Sequence, residues 1–261
     1  MAIGLLEALP ATRVPITVVI PTLNEAPRLP AALASVAWAD ETIVIDGGSS
    51  DDTVLVARRL GARVLTETGV TIGAQRNAGI AAARNAWILA LDADEQATPE
   101  LRASLESLCA GRTTAHHAFR IRSRNWHLGR ELRHGPWGRD WKVRVFSRDA
   151  RFSANRVHEN LESLDDVGAL DGALIHHPYR DLAHQIVKIA QYASWAAQDM
   201  RARGRQASLG DLILRPVWRF LRDYVFMSGW RDGRAGFIVS TVSAFSVFLK
   251  YASLLMGEKI G

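Results

Sequence analysis

Over the first hundred residues the apolar positions fall into short runs separated by segments of helical spacing. Ile16–Ile20 (ITVVI) is a β-branched run closed by Pro21 and reads as a buried strand. Residues 28–38 carry apolar side chains at helical spacing. Thr42–Asp46 (TIVID) reads as a second buried strand, and it leads into Gly47-Gly48-Ser49-Ser50-Asp51-Asp52-Thr53. Gly and Ser permit a tight turn there, and Asp51 or Ser50 is suited to cap the helix that follows. Arg63–Thr66 is a short third strand, residues 72–83 an Ala-rich helix, and Trp87–Leu91 a fourth strand. Thr98-Pro99-Glu100 opens another helix, with an N-cap hydroxyl, a proline in the first turn and an acid near the positive end of the dipole. Strands alternating with helices of this length imply a parallel, doubly wound sheet over roughly residues 14–110.

The fourth strand runs into Asp92-Ala93-Asp94. Strand ends in open α/β sheets are where ligands bind. Two carboxylates one residue apart, with no Lys or Arg between them, cost electrostatic energy unless a divalent cation or a metal-bound phosphate sits beside them. Many solvated loops carry a D-x-D, so its meaning depends on the motifs around it.

Beyond residue 110 the pattern changes. Phe119–Arg124 (FRIRSR) and Trp141–Phe146 (WKVRVF) alternate apolar and basic residues, the period of half-exposed strands. Residues 125–140, rich in Gly, Trp and His, read as a loop over a site. Trp126, Trp137 and Trp141 there are suited either to stack on a sugar ring or to pack in a core. Two clusters of titratable groups follow, Arg156-Val157-His158-Glu159-Asn160 and His176-His177-Pro178-Tyr179-Arg180. Glu159 is the acid/base candidate of the first. Residues 181–200 place Leu182, Ile186, Ile189, Ala193, Ala197 and Met200 at the spacing of a packing helix. Within residues 212–224, Arg215, Arg219 and Arg222 share one face beside Trp218, Leu221 and Val225, a pattern suited to a membrane interface. Ala235–Leu249 is 15 residues without a charge. Spanning a bilayer takes about 20, and Ser243, Ser246, Lys250 and Ser253 line one side. This segment is therefore expected to lie in the interface, to pack on its neighbour or to dimerise.

Composition limits the classes available. A chain of 261 residues with 48% hydrophobic content supports one large domain, or one domain with appendages. The single Cys109 excludes an internal disulfide and suits a reducing cytosol. Met1–Pro10 has no basic segment ahead of its apolar residues, which argues against a secretory signal. Charge is uneven: residues 1–111 hold 8 basic and 13 acidic side chains, residues 112–156 hold 12 and 3, and residues 201–234 hold 8 and 3. Of the 32 basic residues 28 are Arg, which pairs bidentately with phosphate. The Arg-rich stretches are thus suited to nucleotide phosphates, phosphorylated glycolipid or an anionic membrane, or they are ordinary solvated faces. No basic helix, zinc cluster or RNA-binding signature accompanies them, so nucleic acid is not expected as a partner.

Four motifs in order, Pro21-Thr22-Leu23-Asn24-Glu25, Asp46-Gly47-Gly48-Ser49-Ser50-Asp51-Asp52-Thr53, Gln75-Arg76-Asn77-Ala78-Gly79 and Asp92-Ala93-Asp94, resemble those of the family 2 inverting glycosyltransferases. The Val157-His158-Glu159 cluster, His176-x-x-Tyr179-Arg180 and Leu214-Arg215-Pro216-x-Trp218-Arg219-Phe220 resemble, more loosely, a subgroup that includes bacterial lipopolysaccharide core β-1,4-glucosyltransferases. The resemblance implies an α/β GT-A fold: a Rossmann-like mixed sheet flanked by helices, followed by a C-terminal amphipathic helical extension. It implies a catalytic domain over 14–180, with a nucleotide-sugar half at 14–110 and an acceptor half at 111–180, and a membrane-associating helical region over 181–261. It further implies that Asp46 accepts a hydrogen bond from the uracil imide, that Thr22 and Glu25 line the base and ribose pocket, and that Arg76 contacts the nucleotide. Asp92 would lie near the ribose and metal, and Asp94 would bind Mg²⁺ or Mn²⁺ on the diphosphate. Glu159 matches the family's general base, although many members have Glu-Asp where this chain has Glu159-Asn160. Arg156, His158, His176 and Trp137 are secondary, acceptor-side candidates. The expected reaction moves a hexose, first of all glucose, from a UDP-sugar to a lipid-linked saccharide such as the lipopolysaccharide inner core. The expected location is peripheral, on the inner face of the cytoplasmic membrane, with homo-oligomerisation left open. A polyprenyl-phosphate glycosyltransferase would share every donor-side residue. A catalytically silent nucleotide-sugar-binding scaffold is the reading from another class.

Overall fold

The computed structural model describes residues 13–111, 116–153, 161 and 166–257. The chain divides into two compact units. One takes the chain through Arg122 and again Trp141–Ile175; the other takes Ser123–Asp140 and the chain from His176 onward. The stretch 123–140, expected to belong with an acceptor half, therefore groups with the C-terminal helices.

The first unit is built on β1 (Val14–Thr22), β2 (Ala39–Asp46), β3 (Arg63–Thr66) and β4 (Trp87–Ala90), joined by α1 (Leu29–Ser35), α2 (Thr53–Arg59) and α3 (Ile72–Ala82). These four strands are parallel, in the order β3-β2-β1-β4. Alternate residues of each strand enter different cores. Val18, Ile20, Val44 and Leu89 pack with Leu29, Leu33 and Ala57 of α1 and α2, and with Leu101 and Leu105 of α4 (Pro99–Cys109). Val19, Ile43, Ile45 and Ile88 pack with Ile80 of α3 and with Phe146 and Phe152. The helices thus cover both faces, the doubly wound arrangement that the continuous apolar runs implied. Thr98 caps α4, its hydroxyl accepting the Leu101 N–H at 3.4 Å.

Beyond β4 the sheet becomes mixed. Among the described residues it continues through β8 (Trp141–Ser147), β6 (Ala118–His127), β9 (Val167–His176) and β5 (Glu95–Ala97), with β7 (Arg130–Glu131) paired to β6. Both β4–β8 and β6–β8 are antiparallel. The alternation in FRIRSR holds: Phe119 and Ile121 are buried, while Arg120 and Arg122 are exposed. That in WKVRVF does not, because Trp141 is 48% exposed and Arg144 is buried. Neither β5 nor β9 was legible in the sequence. β5 has three residues, and Gly168 and Gly172 interrupt the apolar pattern of β9. Gly172 sits at φ +96, where a Cβ would lie 2.2 Å from the Leu101 nitrogen, so the strand passes directly against the start of α4.

The second unit holds α5 (Leu182–Ala202), α6 (Leu209–Phe220) and α7 (Gly233–Met256). A Ser208–Asp211 capping box starts α6, and a π-turn, Leu221–Phe226, follows it. Helix α7 has 24 residues and extends beyond the charge-free run on both sides, taking in Arg234 and Lys250; by length and composition this helical segment is long and apolar enough to cross a membrane. The three arginines of the expected basic face are ion-paired: Arg215 pairs with Asp211, and Arg219 and Arg222 both pair with the buried Asp223. Of the polar residues expected along one side of α7, Ser243, Ser246 and Lys250 are partly exposed and Ser253 is buried, with Lys250 lying 5.0 Å over the Tyr251 ring.

Candidate functional site

β1 lies between β2 and β4, so the order of strands reverses at the β1/β4 pair. The crevice beyond the carboxyl ends of such strands is where an open α/β sheet binds ligands. The expected donor-side residues gather there. Thr22 ends β1 and is in register with Asp46, which ends β2; Asp92 follows β4.

Asp46 is buried and organises its own turn. Oδ2 accepts the Gly48 and Ser49 N–H groups at 3.0 and 2.9 Å, and Oδ1 accepts the Ser49 hydroxyl. The Gly47 N–H donates to the Thr22 carbonyl at 2.8 Å, and the Thr22 hydroxyl donates to the Ile45 carbonyl at 3.4 Å. The loop after β1 is laced to this turn. Asn24 adopts φ +56, a left-handed conformation that Asn tolerates better than most residues. Its side-chain carbonyl accepts the Ser50 N–H at 2.8 Å, and its own N–H donates to the Ser49 hydroxyl at 2.9 Å. The Glu25 N–H donates to the Thr53 hydroxyl at 2.9 Å. Asp51 accepts N–H groups from Thr53 at 3.0 Å and from Ala26 at 3.2 Å. Those hydrogen bonds, foremost the one from the Thr53 hydroxyl, hold its carboxyl below the usual range. Capping is thus one of two roles for Asp51: it relieves the first N–H of α2 and ties down the preceding loop, while the N-cap residue itself is Asp52.

The D-x-D corner differs from its sequence-based expectation. Its charge is met by arginines from elsewhere in the fold. The Arg76 guanidinium, reaching from α3, lies 2.6 Å from Asp92 Oδ1 and 5.1 Å over the Phe152 ring. Arg144, from β8, bonds Asp92 Oδ2 and also Glu95 Oε1 at 2.8 Å. Glu95 is fully buried; its Oε2 accepts the Asp92 N–H at 3.0 Å, and Lys142 approaches its Oε1 at 3.4 Å. Burial opposes ionisation of Asp92, but Arg144 and Arg76 outweigh it and hold the carboxyl well below the usual range. Asp94 lies 3.5 Å from Arg28, which also approaches Glu25 at 3.7 Å. Arg28, Glu95, Lys142 and Arg144 were not anticipated as parts of this corner. Glu95 directly follows the D-x-D motif and Arg28 lies three residues beyond Glu25, the only signal for either. Arg144 is 52 residues from Asp92, and nothing in its neighbourhood marks it.

Among the described residues no group of three or more His, Cys, Asp or Glu side chains is placed to hold a metal ion. Asp94 still fits a hard divalent cation of the Mg²⁺ type, which takes one or two protein carboxylates and fills its other positions from water and substrate phosphate.

The second unit holds the two remaining described candidates. His176 Nδ1 lies 2.6 Å from Asn125 Oδ1, and Asn125 donates to the Trp137 carbonyl at 2.8 Å. Trp137 is half-buried, stacked on His127 at 5.9 Å and 6.0 Å from Tyr179. His127 is buried and bonded to Gln185 at 2.9 Å; burial lowers its pKa, and the hydrogen bond partly opposes this. Arg156, His158 and Glu159 lie outside the described residues.

A mixed sheet with a parallel half, a motif loop at the switch point and an acidic turn after the fourth strand define the GT-A class of nucleotide-diphospho-sugar transferases. The chain belongs to glycosyl transferase family 2, whose family model matches residues 17–160. An uncharacterized glycosyltransferase of Rickettsia felis is 28% identical over 253 residues, covering 92% of this chain and 89% of the relative. The lipopolysaccharide core biosynthesis glycosyltransferase LpsC of Rhizobium meliloti is 27% identical over 250 residues, covering 93% and 92%. Among solved structures, glucosyl-3-phosphoglycerate synthase of Mycobacterium tuberculosis, in complex with Mn²⁺, UDP and glucosyl-3-phosphoglycerate, is 25% identical with a TM-score of 0.36, covering 42% of this chain and 44% of that one.

Proposed function

We propose that this family 2 glycosyltransferase moves a hexose, with glucose the first candidate, from a UDP-sugar to a lipid-linked saccharide of the lipopolysaccharide core type. The observation that supports the donor side is the placement of Thr22 and Asp46 at the carboxyl ends of β1 and β2 and of Asp92 and Asp94 just beyond β4, at the strand-order switch, with Arg76 paired to Asp92. The name of the LpsC relative, which aligns over almost its whole length, supports the acceptor class. In this reading Asp46 and Thr22 bind the base, Glu25 lines the ribose side, and Arg76 and Asp92 form the wall beside the diphosphate. Asp94 would hold Mg²⁺ or Mn²⁺, which supplies Lewis-acid compensation for charge on the leaving diphosphate. Glu159 takes the acceptor hydroxyl proton as the oxygen bonds to the anomeric carbon. The anomeric C–O bond to phosphate breaks, UDP leaves with the electron pair, and the configuration inverts.

The helical unit supports a surface location. Leu209, Ile213, Leu214, Val217, Trp218 and Phe226 are 53–69% exposed. Asp211, Asp223 and Asp232 are each paired within the unit, to Arg215, to Arg219 and Arg222, and to His134. The exposed charges on Arg231 and Arg234 are left basic, which suits an anionic lipid face. We read α7 as lying against this surface and not crossing it. Its Tyr251 and Leu254 pack on Ala197 of α5, and Arg201 donates to the Ser253 carbonyl at 2.9 Å. Crossing would carry the ionised groups of α5 into hydrocarbon, at several kcal/mol each.

The test is UDP release from a panel of UDP-sugars, with lipid A-core or polyprenyl phosphate as acceptor, with and without EDTA. Turnover with core acceptor that is lost in EDTA and lowered about 10²–10⁴-fold by Glu159→Gln is the expected result. Turnover only with polyprenyl phosphate favours the rival acceptor. No turnover with any pair, alongside measurable UDP binding, favours a silent scaffold.

A further inference from the structure

The buried Glu95–Arg144 pair stands behind the D-x-D turn and has no role in the reaction described above. Glu95 is fully buried and Arg144 is 7% exposed. Two buried charges need a compensating arrangement, and the one formed here is directed at the turn. Glu95 grips the Asp92 backbone through Oε2 and the Arg144 guanidinium through Oε1. Arg144 in turn engages the Asp92 carboxylate on the oxygen that Arg76 leaves open, since Arg76 takes Oδ1 and Arg144 takes Oδ2. Asp92 is thereby fixed by its backbone and by both carboxylate oxygens. The Nε–H of Arg144 is buried without an acceptor among the described residues, so the guanidinium retains a donor beyond those that hold Asp92 and Glu95.

Resting on the donor-site reading given above, we propose that Arg144 is a positioning residue. Seated on Glu95, it clamps Asp92 against Arg76, so that Asp92 holds the Arg76 guanidinium in a fixed position beside the donor diphosphate, while Asp94, which Arg28 approaches at 3.5 Å, is the carboxylate of the motif assigned to the metal. The sequence neighbours of Asp92 cannot do this, because Ala93 and Asp94 offer no cation. The clamp has to come from another strand, and β8, adjacent to β4, supplies it. A planar guanidinium with donors on two edges can hold two carboxylates at once, whereas a lysine ammonium makes no such fork.

The experiment measures Mn²⁺ binding by electron paramagnetic resonance, on the full chain, with thermal melts to establish folding. Asp94→Asn is expected to abolish binding and Asp92→Asn to leave it within about twofold. Arg144→Gln releases Asp92 Oδ2, with Arg76 still on Oδ1, and should tighten Mn²⁺ about tenfold, the scale for removing one positive charge a few ångströms from a dication in a hydrated site. That gain should vanish in Arg144→Gln/Asp92→Asn. With UDP-sugar, Arg144→Gln should raise KM about 10–100-fold and change kcat less, with Arg144→Lys between it and wild type. A mere structural strut would lower the melting temperature and leave Mn²⁺ affinity unmoved. Unchanged Mn²⁺ affinity in folded Arg144→Gln overturns the proposal, as does a gain that survives Asp92→Asn. If Arg144→Gln does not fold, a tenfold loss of Mn²⁺ in Asp92→Asn overturns it instead. Mn²⁺ binding is read without turnover, so these outcomes stay separate from failure of the transferase assay.

Discussion

The Asn24 side-chain carbonyl accepts the Ser50 backbone N–H at 2.8 Å, joining two motif loops that lie 26 residues apart. With the Ser49 hydroxyl on the Asn24 N–H, this pair makes the loops after β1 and β2 one rigid wall beside Asp46. Asn24→Gly keeps the left-handed backbone and loses the side-chain bonds, an expected cost of about 0.5–1.5 kcal/mol each. Asn24→Ala also incurs left-handed strain, about 1–2 kcal/mol. UDP affinity measured by calorimetry should therefore fall in the order wild type, Gly, Ala. Equal affinities for all three would show that the wall does not shape the nucleotide pocket.

Gly79 brings α3 onto the sheet closely enough for Arg76 to reach Asp92. A Cβ at residue 79 would lie 2.6 Å from Val19 Cγ1 and 2.7 Å from Ile45 Cδ1. Both neighbours are in a fully packed core, so Gly79→Ala should destabilise by about 1–3 kcal/mol. Displacement of α3 should also raise the donor KM. Differential scanning calorimetry and donor kinetics on one preparation check both effects.

The histidine at 127 gives the second unit a pH dependence of definite sign. Burial lowers its folded pKa beneath the unfolded value of about 6.5. The unfolded chain then binds more protons in that range, so the stability that His127 contributes is complete above about pH 6.5 and is lost as pH falls through the lowered folded value. Melting followed by the fluorescence of Trp137, which stacks on this ring, should shift downward between pH 7 and 5. His127→Gln should flatten that slope; an unchanged slope assigns the titration to another group.

Leu214 and Trp218, 69% and 57% exposed on α6, are not needed for folding by their burial. Leu214→Asp/Trp218→Glu should leave the melting temperature near wild type and abolish co-sedimentation with anionic vesicles. Arg231→Gln/Arg234→Gln should weaken binding by roughly fivefold per arginine, an effect that vanishes in high salt. Vesicle binding that survives all four substitutions would remove α6 and its basic flank as the contact surface.

Much of the first unit was legible because its central strands β1 and β2 are buried on both faces. Continuous apolar runs such as ITVVI and TIVID cannot be mistaken for solvated segments, and the turn residues after them mark the strand ends where the motifs sit. The later strands were less legible. β5 is too short to show a period, Gly168 and Gly172 break that of β9, and Arg144 was read as an outward residue because alternation carries no information about what lies opposite. The charge-free run marked the middle of α7 but not its ends, because Arg234 and Lys250, which bound the run, both lie inside the helix.

By itself the sequence determined the family, the order of the parallel strands' elements and the chemical types at the donor crevice, because those depend on local pattern and on motif spacing. Only the tertiary structure decided how the D-x-D charge is met. Asp92 is held between Arg76 on α3 and Arg144 on β8, two side chains from elements far apart in the chain. Charge compensation acts through space over a few ångströms, and the pairing of β4 with β8 that brings these groups together is a property of the fold.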